Sequence, residues 1–120
     1  MIEILKPDFK FQDERGWLMQ LVHGGYKQFN IIFSREGVLR GDHYHKENKE
    51  AFFVISGSFE LTVKTADVEE KHTFSKGDMF LIPPYVIHSF YYLEDTLIAS
   101  MYDSGVEKPD GTKDIYTDCE

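Results

Sequence analysis

The sequence holds one cysteine, Cys119, next to its last position, so no disulfide can form within the chain and no thiolate cluster is offered to zinc. No apolar run approaches the length of a membrane span, and Met1-Ile2-Glu3-Ile4-Leu5-Lys6-Pro7 lacks the basic start and apolar stretch of a secretory leader. These absences predict a cytoplasmic protein. Basic residues are scarce as well, 13 against 21 acidic ones for a formal net charge of −8. That argues against a general attraction to nucleic acid or membrane, because either partner needs a basic face to neutralise phosphate. An anionic small molecule can still bind locally. Helical periodicity is missing too: no stretch keeps apolar residues at helical spacing for more than a turn or two.

What is present is an all-β pattern. At 120 residues the chain is the size of one domain, read as residues 1–120, and its 42% apolar content is enough for a core of its own. Apolar residues recur with period two in short segments bounded by Gly, Pro, Asp or Asn. Strands are predicted over Trp17 to Val22, Gln28 to Phe33, Ala51 to Ile55, Ser58 to Val63, Met79 to Ile82, Ile87 to Tyr92 and Thr96 to Tyr102. Their even spacing suggests a sandwich or barrel. Gly57, in Ser56-Gly57-Ser58, can take positive φ at no steric cost, so Ala51 to Val63 is read as one hairpin. Gln12 to Arg15 is at most a turn before Gly16, and the acidic piece from Asp103 to Glu120 is expected to be an arm or closing segment outside the core.

Two of the five histidines stand one residue apart in Arg40-Gly41-Asp42-His43-Tyr44-His45. On a strand, residues i and i+2 share a face, so both imidazoles would project to one side. Glu50 opens the next strand in phase with Phe52 and Val54, and His88 lies on the strand after Ile82-Pro83-Pro84. The full spacing is Gly37-x5-His43-x-His45-x4-Glu50-x6-Gly57, then Gly77-x5-Pro83-x4-His88. His23 and His72 fall outside it and are read as surface residues.

Over about the middle half of the chain this spacing resembles the two motifs of the cupin superfamily. The first motif matches at every defined position; in the second, Tyr85 stands where the family usually has Gly and Tyr92 where it often has Asn. The resemblance implies a jelly-roll-like β-barrel with His43, His45, Glu50 and His88 pointing into its lumen. Three imidazoles and a carboxylate suit one divalent ion, with zinc, iron, manganese, nickel and copper not distinguished. The alternative is a cage without metal, in which the histidines serve acid–base chemistry.

Val38-Leu39-Arg40-Gly41-Asp42-His43-Tyr44 and Asp13-Glu14-Arg15-Gly16-Trp17 are similar to two signatures of the nucleotide-sugar 3,5-epimerases, and the Arg-Gly-x-His-x-His form is similar to the 3,4-ketoisomerases. It is similar also to the cupin domain appended to some capsular-sugar reductases. This narrower resemblance implies an epimerase or ketoisomerase acting on a nucleotide-activated 4-keto sugar in surface-polysaccharide synthesis, with Arg15 and Arg40 near the nucleotide phosphates. One departure bears on mechanism: Glu50 stands where the epimerases usually carry a lysine, so a metal would have to supply the positive charge for a developing enolate. If His43 is bound to that metal, proton transfer falls to Tyr92, Tyr102 or a bound hydroxide. In a cage without metal, His43 is the base and a tyrosine the acid. Two rival classes remain: a metal-dependent oxygenase using the same ligands, and a non-catalytic module that binds metal or sugar. A homodimer is expected, because Phe53 and Ile55 face away from Phe52 and Val54, and a short barrel has little extra chain to cover them.

Overall fold

The structure is a computed structural model that describes residues 1–117; Asp118, Cys119 and Glu120, and with them the reading of the lone cysteine, lie outside the described residues. Its strands are β1 (Glu3–Leu5), β2 (Phe9–Asp13), β3 (Gly16–Gln20), β4 (Gln28–Ser34), β5 (Leu39–Tyr44), β6 (Glu50–Ser56), β7 (Ser58–Lys64), β8 (Glu69–Ser75), β9 (Met79–Ile82), β10 (Ile87–Tyr92), β11 (Thr96–Tyr102) and β12 (Tyr116–Thr117). They form two five-stranded sheets, ordered β1-β9-β6-β11-β4 and β12-β5-β10-β7-β8, and a two-stranded ribbon of β2 and β3. This is an all-β, jelly-roll-like arrangement of the cupin kind. No helix of the described residues is long and apolar enough to cross a membrane.

Alternation along the strands builds the core. Phe52 and Val54 of β6, Phe80 and Ile82 of β9, and Ile98 of β11 turn inward to meet Phe59, Leu61 and Val63 of β7, Phe74 of β8, and Phe90 and Tyr92 of β10. The rings pack closely, with Phe74 and Phe80 stacked at 4.2 Å and Phe52 and Phe80 at 5.0 Å. Aromatic pairs at such distances add to what area burial alone supplies.

The structure corrects two expectations. Ala51 to Val63 is not a hairpin: β6 pairs with β9 and β11, whereas β7 pairs with β8 and β10 in the other sheet. From Glu50 to Val54 every residue of β6 is buried, as suits a central strand with both edges occupied. Gly57, at φ +93°, is therefore a corner between sheets. Phe53 does not wait for a second subunit either. The chain's own Leu5, Met19, Leu21, Val22 and Tyr26 pack over Ala51, Phe53, Met79, Ala99 and Met101 on the outer face of the first sheet. Ile55 stays partly exposed.

Candidate functional site

The site begins with an irregularity in β5. His88 of β10 pairs with His43, but the next residue, Ser89, pairs with Gly41, so Asp42 is an extra residue in its strand. Gly41 and Asp42 both have positive φ, 104° and 63°. Such a bulge re-aims the side chains on either side of it. Arg40 and His43, an odd number of residues apart, would face opposite sides of a regular strand; across the bulge both reach the same cavity. Gly41 is needed at this spot, because a β-carbon there would stand 2.7 Å from the His88 carbonyl oxygen.

The cavity, of about 450 Å³, has Arg40, His43, Glu50, His88, Tyr92 and Tyr102 in its wall, set among Ile32, Phe52, Phe90 and Ile98. Thus β5, β6, β10 and β11 each contribute polar groups to a mostly apolar pocket, the usual build of a small-molecule site. The Nε of Arg40 donates to Ser34 Oγ at 2.8 Å, which braces the guanidinium in the wall. Arg15 is elsewhere. It sits in the turn of the β2–β3 ribbon, exposed and bonded to its neighbour Asp13, and the structure does not bring it to Arg40. His23, bonded to Asp8, is exposed, and His72 lies half-exposed on β8.

The three histidines differ in what their nitrogens meet. His88 is buried; its Nδ1 lies 3.1 Å from the Val86 carbonyl, so that nitrogen carries the proton, and its Nε2 has no partner. Burial pushes its pKa down to about 4. His43 is half-buried, and burial, together with the nearby His45, lowers its pKa. His45 does not line the cavity. Its Nδ1 is 2.7 Å from the Asp114 carbonyl oxygen and its Nε2 3.1 Å from Glu50 Oε1, so both ring nitrogens face acceptors. Burial alone would lower its pKa, but the bonds to Glu50 and to the Asp114 carbonyl outweigh it and raise the value. Glu50 Oε2 takes the Ser100 hydroxyl. Tyr102 and Tyr92 are both held above the usual phenol range, chiefly by burial; Glu50 adds to the effect at Tyr102.

Sequence reasoning missed Ser34, Asn48, Ser100 and Asp114. Asp114 lies 66 to 69 residues from the groups it holds, in a segment whose acidic composition resembles a solvated tail. No local signal distinguishes it from its neighbours.

Comparison with known proteins places this geometry. A dTDP-4-dehydrorhamnose 3,5-epimerase from Sulfolobus tokodaii is 26% identical and superimposes with a TM-score of 0.75, over 92% of this chain and 74% of that one. A 3,4-ketoisomerase from Helicobacter canadensis reaches a TM-score of 0.81 at 17% identity, over 98% of this chain and 91% of that one. A variant of a 3,4-ketoisomerase from Thermoanaerobacterium thermosaccharolyticum, solved in complex with TDP-4-keto-6-deoxyglucose, gives 0.75 at 19% identity, over 86% and 80%. The two ketoisomerase likenesses are likenesses of fold. No curated protein sequence matches this chain.

These relatives overturn the expected divalent metal on His43, His45, Glu50 and His88, since epimerases and ketoisomerases of this fold are metal-independent. Nitrogens of His43, His45 and His88 come within 4.8 Å of one another, but His45 points both of its own at acceptors and Glu50 is engaged by His45 and Ser100. Of the four, His45 and Glu50 are bonded to each other and to Asp114 and Ser100, whereas the buried His88 Nε2 has no hydrogen-bond partner among the described residues. With the cupin fold in place, and a family model described as the polysaccharide biosynthesis C-terminal domain matching residues 11–109, the chain belongs to that family.

Proposed function

We propose that the chain is an epimerase or ketoisomerase acting on a nucleotide-activated 4-keto sugar in polysaccharide synthesis. The observation that carries this is the pairing, in one cavity, of an imidazole whose pKa is lowered with two phenols whose pKa values are raised. At neutral pH His43 is unprotonated and can take a proton from a carbon next to a keto group, while Tyr92 or Tyr102 still holds a proton to give. With Glu50 where a lysine would stand, the enolate is steadied by a phenol donating to its oxygen. Arg40 offers a planar fork to the nucleotide phosphates.

The test is incubation with TDP-4-keto-6-deoxyglucose in D₂O, followed by NMR. Deuterium should enter the sugar at a carbon adjacent to the keto group. Saturable binding with no deuterium entry would assign the chain to the non-catalytic binding class instead.

The chain acts as a homodimer in this reading, on grounds other than Phe53. On β4, the edge strand of the first sheet, Phe29, Ile31 and Phe33 are 62%, 67% and 51% exposed, and the β2–β3 ribbon leaves Phe11, Trp17 and Leu18 exposed. Two unpartnered apolar surfaces on one chain suit a two-fold pair in which each covers the other. Arg15 keeps its assignment to the nucleotide only through such a pair, which would carry the ribbon to the neighbouring subunit. Light scattering at micromolar concentration should give twice the chain mass; a monomer would remove both the pairing and the role of Arg15.

A further inference from the structure

The described segment after β11 is pinned to the site by a buried carboxylate that the proposed chemistry does not use. Asp114 is fully buried. Its carboxylate accepts the backbone N–H groups of Lys46, Glu47 and Asn48 at 2.9, 3.0 and 3.0 Å, and the Asn48 side-chain amide at 2.9 Å. Asn48 answers from the other side: its Oδ1 accepts from the N–H groups of Ser104 and Gly105, and its amide also donates to the Gly105 carbonyl. The Asp114 N–H donates to Val106. A carboxylate taken wholly out of water needs such donors, and they outweigh its burial and hold its pKa low. They also fix where its own carbonyl points, which is at His45 Nδ1. The far side of that ring meets Glu50 Oε1, and Glu50 is in the cavity wall.

We propose that Asp114 is a positioning residue for this site: its carboxylate clamps the turn after β5, its carbonyl orients the His45 ring, and through that ring it sets the Glu50 carboxylate beside His43 and His88. The segment 103–117 is thereby a working part of the pocket. The inference rests on the proton-transfer reading above, because a group misplaced by about 1 Å in such a site can lower the rate on the order of 10²-fold. A purely structural role for Asp114 would lower stability without acting through His45.

A double-mutant cycle separates the two. In Asp114→Asn the volume is kept, but an amide group is set against backbone N–H donors. Deuterium entry into TDP-4-keto-6-deoxyglucose should slow about 10- to 100-fold, with TDP affinity by calorimetry within about twofold of the starting protein. His45→Gln should slow it similarly, and the double variant should be no slower than His45→Gln alone. Equal slowing by Asp114→Asn in both backgrounds, or no slowing in either, would overturn the proposal. A second measurement needs neither turnover nor a folded variant: ¹⁵N-edited NMR of the unaltered protein should show protons on both ring nitrogens of His45, protected from solvent exchange. An Nδ1 without a proton would sink the idea. If the unaltered protein exchanges no deuterium but His45 carries both protons, the positioning stands and the proposed reaction fails.

Discussion

Replacing His43 by asparagine should slow deuterium entry at the carbon beside the keto group by about 10²- to 10⁴-fold, the usual contribution of a positioned general base. The bulge aims this ring into the cavity, and its pKa is lowered by burial and by His45, so at neutral pH it is a free base. Asparagine has a similar reach but takes no proton there. Because Arg40 is braced separately through Ser34, TDP affinity should stay within about twofold, and the melting temperature should hold, since His43 is only half-buried. The pH profile carries the sign. A base whose folded pKa lies below the ordinary 6.5 loses activity as pH falls through that lower value, and keeps it on the alkaline side until a phenol ionises. Unchanged exchange in the His43→Asn protein would move the base to another group.

A comparably large effect, on the fold, is expected at the corner between the sheets. At Gly57, φ is +93°, and a β-carbon would meet the Thr96 hydroxyl, stand 2.5 Å from the Asp95 carbonyl oxygen and 2.6 Å from the Thr96 α-carbon. Two of these three atoms are backbone and belong to the entry into β11, which pairs with both β6 and β4. They cannot step aside without shifting the sheet. Gly57→Ala should therefore destabilise the protein by roughly 3–5 kcal/mol, from overpacking added to left-handed strain. Gly111→Ala is the control: its φ is also positive, at 88°, but nothing lies within 4 Å of the added carbon. It should lose only about 1 kcal/mol. Urea unfolding measures both, and a Gly57→Ala loss no larger than that of Gly111→Ala would show that the corner can relax.

The contrast explains what the sequence could and could not reveal. Strands β4, β7 and β10 were legible to within a residue or so because their two faces are buried unequally, and β9 and β11, buried on both faces, because each is a short mostly apolar run bounded by turn residues. β8 was not, since Glu69-Glu70-Lys71-His72-Thr73-Phe74-Ser75 has a single apolar residue and only Phe74 is buried. Strand pairing was harder than strand existence: a Gly between two strands reads as a hairpin whether the chain turns back or crosses to a facing sheet. At the site, motif spacing brought His43, Glu50 and His88 to one cavity and His45 close behind it. Spacing says nothing about which lone pairs are already engaged. That depends on Asp114 and Ser100, each at least 50 residues from its partner.

The bulge at Asp42 makes the pocket a matter of counting. Every side chain that faces the cavity from β5 does so because one more residue is present in that strand than in its neighbour. A substitution at Asp42 that tolerates a left-handed backbone, such as asparagine or glycine, leaves this count alone. A β-branched residue such as valine, which resists a left-handed backbone, would keep Arg40, Gly41 and His43 in order, yet by drawing position 42 into regular strand geometry turn either the guanidinium or the imidazole to the opposite face. At this position the backbone conformation is what the pocket requires, and homologous pockets with the same spacing should be recognised by residues that accept positive φ between the arginine and the histidine.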